Sequence, residues 1–96
     1  MNINQHSDFT KWLKGLRDVV GKRAILARLV KLQADDHFGD SKALGDGLNE
    51  MRVHAGPGYR IYYTFEADGT LILRGGVKDD QDRDIGKARD MIKDSP

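Results

Sequence analysis

Ninety-six residues without a cysteine allow one domain with one core and exclude disulfides and thiolate metal sites. The formal net charge is only +1 although 32 % of residues are charged, so a polyanion partner must be argued from where the basic residues fall. No apolar run approaches the roughly 20 residues of a membrane span, and Met1 to His6 does not read as a signal peptide, which predicts a single cytoplasmic domain over 1–96 with no membrane role.

A first helix is expected from Ser7 or Asp8, either of which can cap it, with Phe9, Trp12, Leu13 and Leu16 spaced to share one face. Asp18 to Gly21 breaks that period. A second helix then runs from about Lys22 to Ala34, with Ile25, Leu26, Leu29 and Leu32 inward and Lys22, Arg23, Arg28 and Lys31 on the other face. Asp35 to Asp40 reads as a loop, after which the period becomes alternating. Leu48 to His54 forms a strand closed by the turn residues Ala55-Gly56-Pro57-Gly58, and Tyr59 to Phe65 forms a second, rich in aromatic and β-branched types. Ala67-Asp68-Gly69 fits a three-residue hairpin loop with Gly69 left-handed, followed by a strand from Thr70 to Val77 that thins at Gly75-Gly76. A last helix of about Asp80 to Lys93 turns Ile85, Ala88, Met91 and Ile92 toward the core. Met1 to Gln5 could add an edge strand, although Asn2, Asn4 and Gln5 are weak strand formers. This order predicts an α+β fold: a helical hairpin packed on one face of a small antiparallel sheet of three to four strands, with a C-terminal helix.

Alternation sorts the strands into two faces. Met51, Val53, Tyr59, Ile61, Tyr63, Phe65, Leu71 and Leu73 fall on one, which is the expected core. In that register Val53 pairs with Tyr59, Met51 with Ile61, Tyr63 with Leu73 and Phe65 with Leu71. The even-numbered residues share the opposite face, where Arg52 lies across from Arg60, Tyr62 across from Arg74 and Thr64 across from Ile72. Two guanidiniums directly across a sheet repel each other, and a bound anion reverses the sign. Arginine suits a phosphate because its planar fork grips two oxygens, and a tyrosine between arginines offers a surface for base stacking. An ordinary solvated face, with Glu50 paired to Arg52 or Arg60, accounts for the same residues.

Other features carry less. Lys78 lies near the start of the last helix, although Asp79 and Asp80 read more simply as caps. His54 can move a proton near neutral pH, or simply be solvated at its turn. His6 and His37 lack a second ligand at metal spacing, so no metal is expected. Asp79, Asp80 and Asp82 are confined to one segment.

The run from Phe38 to Val53, with Phe38-Gly39-Asp40, Lys42, Leu44-Gly45, Gly47-Leu48 and Glu50-Met51-Arg52, resembles the RelE/ParE toxin superfamily, in its HigB-like branch of addiction-module killer proteins. The likeness continues through Gly56-Pro57-Gly58-Tyr59-Arg60-Ile61-Tyr62-Tyr63, Leu73-Arg74-Gly75-Gly76-Val77-Lys78 and Gln81 to Ala88, and takes in Phe9, Trp12, Leu13, Leu16, Arg17 and Asp18.

The resemblance implies a RelE-like fold and the toxin of a bacterial type II toxin–antitoxin pair, acting as a ribosome-dependent mRNA endonuclease, or mRNA interferase. In such a reaction a ribose 2′-hydroxyl attacks the adjacent phosphate, with neither metal nor cofactor. Arg52, Arg60 and Lys78 best match the family's basic catalytic positions, with Arg74, Tyr62 and His54 as supporting RNA-binding residues. Asp79 to Pro96 lacks the tyrosine or histidine that several members carry there, which leaves proton transfer to Lys78, His54 or Tyr62, or to ribosomal RNA. The implied partners are a cognate antitoxin, the ribosome with its mRNA, and operator DNA only through the antitoxin. The antitoxin is expected on the basic sheet face or against the helical hairpin. The alternatives are a non-enzymatic ParE-like gyrase inhibitor and a degenerate toxin that only binds its antitoxin.

Overall fold

The computed structural model describes residues 1–94; Ser95 and Pro96, included in the domain read from the sequence, lie outside the described residues. The elements are β1 (Asn2–Gln5), α1 (Ser7–Gly15), α2 (Val19–Asp35), β2 (Ser41–Gly45), β3 (Leu48–Val53), β4 (Tyr59–Glu66), β5 (Gly69–Val77), a single 3-10 turn (Lys78–Asp80) and α3 (Gln81–Lys93).

The five strands form one sheet in the order β1-β5-β4-β3-β2. Strands β2 to β5 make an antiparallel meander, and β1 joins β5 in parallel. The expected antiparallel sheet of three to four strands is therefore corrected to a mixed sheet of five. Both strands beyond the three read from alternation are edges: β1, where Met1 to Gln5 offered a possible edge strand, and β2, which was not expected. Strand β2 (SKALG) has no buried residue and β1 (NINQ) only the partly buried Ile3, so neither carries a period-2 apolar signal. Pairing holds them: Ser41 aligns with Met51 and Ile3 with Thr70, and the Ser41 hydroxyl bonds both the Tyr63 hydroxyl and the Glu50 carbonyl.

The two N-terminal helices share one face of the sheet, and α3 takes the other. Helix α1 lies chiefly against β5 and α2 against β3, on the face that buries Phe9, Ile25, Leu29, Leu32, Met51, Ile61 and Ile72. Helix α3 covers the opposite face, where Leu48, Tyr62, Leu73 and Ala88 form a second apolar cluster with Ile85, Met91 and Ile92 at its margin. Leu26, expected inward, is exposed, because the buried stripe of α2 runs through Gly21, Ile25, Leu29 and Leu32.

Helix boundaries follow local capping. The Asp8 N–H donates to His6 Nδ1, so His6 rather than Ser7 or Asp8 caps α1. Asp18 caps α2 by accepting from the Gly21 N–H at 3.0 Å, and its other oxygen accepts from the Tyr59 hydroxyl at 2.6 Å. One carboxylate thus starts the helix and fastens it to β4.

The β3–β4 register is the expected one, with Val53 opposite Tyr59, Arg52 opposite Arg60 and Met51 opposite Ile61. In β4–β5, Tyr62 lies opposite Arg74 but Tyr63 lies opposite Ile72, so Leu73 is the extra residue of a bulge. The expected Tyr63–Leu73, Phe65–Leu71 and Thr64–Ile72 pairs become Tyr63–Ile72, Phe65–Thr70 and Thr64–Leu71. Glu66 pairs with Gly69, leaving a two-residue loop where three were expected. The bulge sends Ile72 into one core and Leu73 into the other. Gly75 and Gly76 serve close packing on opposite sides: a Cβ on Gly75 would lie 2.3 Å from the Trp12 ring, and one on Gly76 would lie 2.0 Å from Asp84 Oδ2.

Candidate functional site

Arg52 and Arg60 face each other across β3 and β4 as the alternation requires, but the charge between them comes from the chain itself. Glu50 is fully buried; its Oε1 lies 3.3 Å from Arg52 Nε and 3.6 Å from Arg60 Nε, and its Oε2 accepts from Gln81 Nε2 at 2.6 Å. A buried carboxylate cancels the guanidinium repulsion, so the pair needs no external anion. Arg52 is drawn further aside by Asp40, 4.0 Å from its Nη1.

Two other residues singled out from the sequence do not belong to an open site. Arg74 donates from Nε to Asp84 at 2.8 Å and from Nη1 to Asp8 at 3.1 and 3.2 Å, so its guanidinium is already committed to carboxylates. Tyr62 is fully buried beneath α3 and offers no ring to a nucleobase. Burial, followed by the charges of Glu50 and Asp84, pushes its hydroxyl well above the usual phenol range, which removes it as a proton-transfer group near neutrality. Alternation placed both residues on the right face. It could not show that α3 lies over that face.

The remaining three converge. His54, Arg60 and Lys78 line an open cleft of about 330 Å³ together with Ala55, Gly56, Pro57 and Gly58. The cleft is built by the β3–β4 turn and the end of β5, which are joined where the Lys78 N–H donates to the Gly58 carbonyl at 2.9 Å. Gly58 adopts φ +83°, which an L side chain rarely does, so glycine is what lets the turn close against Lys78. Lys78 is exposed, and among the described residues its ammonium makes no ion pair. Arg60 is buried, yet its side chain forms part of the cleft lining.

His54 is held in place. Its Nε2 lies 2.5 Å from Asp40 Oδ2, and this hydrogen bond is the main cause that lowers the Asp40 carboxyl below its usual range; burial opposes it, while Arg52 and Arg28 add to it. Asp40 sits in the loop before β2, which Arg28 anchors by donating to the Arg52 and Phe38 carbonyls, each at 2.6 Å. Arg28 was expected on the outer face of its helix; its guanidinium instead satisfies loop carbonyls, and Gly39 (φ +65°) makes room for it. Sequence reasoning missed Asp40 as a partner because nothing local links a loop aspartate to a histidine 14 residues later. Among the described residues no three His, Asp or Glu side chains come together as a metal site.

The architecture is thus an α+β domain with a mixed five-stranded sheet and a small basic cleft at one end of it. The chain belongs to the same family as an uncharacterized protein of Haemophilus influenzae, to which it is 41 % identical over 83 residues covering 84 % of this chain and 82 % of that one. Its fold is similar to the solution structure of the conserved hypothetical protein HP0894 from Helicobacter pylori, with a TM-score of 0.52 and 20 % identity over 82 % of this chain and 96 % of the other. No family model matches the sequence. Among the described residues no helix is long and apolar enough to cross a membrane.

Proposed function

We propose that the protein is the toxin of a type II toxin–antitoxin pair and cuts mRNA on the ribosome in the cytoplasm, with the scissile phosphate held in the cleft of His54, Arg60 and Lys78. The observation that carries this reading is that cleft: three residues singled out from the sequence line one open, cationic hollow of phosphate-compatible size. A cognate antitoxin is the expected partner, with any operator contact made through it.

In the proposed reaction the 2′-hydroxyl attacks phosphorus, its proton leaves, and the P–O5′ bond breaks to give a 2′,3′-cyclic phosphate and a 5′-hydroxyl. Charge accumulates on the phosphoryl oxygens in the transition state. The Lys78 ammonium and the Arg60 guanidinium stabilise it. His54 exchanges the proton, and Asp40 fixes its ring. Arg52, tied to Glu50 and Asp40, supports the site from outside the cleft lining.

Cleavage on programmed ribosomes tests this directly. The native chain should cut within A-site codons, with Arg60→Ala and Lys78→Ala each lowering the rate by about 100-fold or more. His54→Gln should lose about 100-fold while binding RNA normally. Intact messages after incubation with the folded, antitoxin-free protein would overturn the reading, and inhibited supercoiling in the same extract would redirect it to gyrase.

A further inference from the structure

We infer that the outward face of α2 is a docking surface for an acidic amphipathic helix of another polypeptide. The inference does not depend on the nuclease reading. Helix α2 is 17 residues long and buries only one stripe, yet the opposite side is also apolar: Val19, Leu26 and Val30 are 60, 41 and 62 % exposed, with Val20 beside them at 71 %. Val19, Arg23, Leu26, Ala27, Val30 and Ala34 recur at helical spacing, so they form one continuous exposed band along the helix. Such a band on a sheet-packed helix has no role in the fold itself.

Charge identifies the occupant. Arg23 lies within the band and Lys22 and Lys31 flank it, while no acidic residue occurs in α2 before its last position, Asp35. Lys22 lies in the first turn, where the helix dipole gives a cation no benefit. A second copy of the chain pairing through this face would set these cations against their own copies, which disfavours self-association. A lipid surface is disfavoured as well, because the band holds valines and alanines and lacks the tryptophan or phenylalanine that interfacial helices insert. A partner helix with aliphatic residues on one face and glutamates at its margins satisfies both the apolar band and the cations, and Ala27 and Ala34 allow close approach.

The test uses two synthetic 18-residue helical peptides with the same leucine–isoleucine face, one flanked by glutamate and one by lysine, measured by fluorescence anisotropy against the folded full chain. The glutamate-flanked peptide should bind at least tenfold tighter. Val30→Asp should weaken it at least tenfold, and Arg60→Ala should leave it unchanged. The double substitution Arg23→Glu with Lys31→Glu should reverse the preference, a gain of binding that misfolding cannot produce. Equal affinity for both peptides, or no reversal, overturns the inference. So does a dimer in light scattering that Val30→Asp dissolves, or binding to anionic phospholipid vesicles that the same substitution abolishes.

Discussion

On the face covered by α1 and α2 the sheet buries Phe9, Leu13, Ile25, Leu29, Leu32, Met51, Ile61 and Ile72, and the polar groups there are few and partnered. On the face covered by α3 the apolar cluster is small, and Glu50, Arg60 and Asp84 are buried alongside Tyr62, with the part-buried Arg74 ion-paired at their edge. Among the described residues, three buried side-chain atoms on this face, Arg60 Nε, Tyr62 Oη and Asp84 Oδ2, have no hydrogen-bond partner. The first face contributes stability through contact area, which tolerates small errors of geometry. The second depends on charge pairing, where a lost partner is costly and an unpaired group adds nothing. The candidate cleft opens at the edge of the second face, so the part of the protein proposed to meet a ligand is also the part least optimised for folding.

The sharpest way to break this contrast is to remove one anchor from each face and follow urea unfolding. Phe9→Ala should cost about 4 kcal/mol through lost burial and the cavity left behind. Glu50→Ala should cost about 3 kcal/mol by a different route, because it strips Arg60 of its counter-charge and Gln81 of its acceptor and restores the Arg52–Arg60 repulsion. Near-native stability of Glu50→Leu, which fills the space without the charge, would mean that packing, not charge pairing, holds the α3 side.

The tyrosines sharpen the comparison at smaller amplitude. Tyr59→Phe removes a hydroxyl that donates to Asp18 and should destabilise by about 1 kcal/mol. Tyr62→Phe removes an unpartnered buried hydroxyl and should be neutral or stabilising by up to about 1 kcal/mol. A Tyr62→Phe loss as large as that of Tyr59→Phe would show that the hydroxyl is satisfied after all.

The smallest effect is a pH dependence. Burial and then the Asp18 hydrogen bond push Tyr59 up to about 12, and burial also raises Tyr62 and Tyr63, so all three tyrosines of the chain ionise late when folded. An unfolded tyrosine ionises near 10. The folded state therefore holds these protons more tightly: the stabilisation is complete below about pH 10 and declines as pH rises toward 12. Tyrosinate absorbance should appear together with alkaline unfolding; a smooth titration centred at pH 10 with the fold intact would contradict the burial of all three.

The sequence by itself determined whatever a short window encodes. Phe9, Leu13, Ile25 and Leu29 repeat at helical spacing and their helices formed; Met51 to Val53 and Tyr59 to Ile61 alternate, and their pairing put Arg52 opposite Arg60. The cleft was legible to the extent that the sequence marks His54, Arg60 and Lys78 as candidates, but not that they meet. Tertiary structure decided what no window contains. Strands β1 and β2 exist because neighbours offer backbone partners, not because their side chains alternate. One extra residue at Leu73 inverted the facing of Leu71 to Leu73 while Arg74 to Val77 kept theirs, since a strand's side chains have period two. Placing α3 on the second face buried Tyr62, engaged Arg74 through Asp84 and gave Gln81 to Glu50, while the folding of the loop before β2 brought Asp40 to His54. Local periodicity encodes which face a residue takes, and only long-range packing determines what lies above that face, because burial and charge pairing depend on residues far apart in the chain.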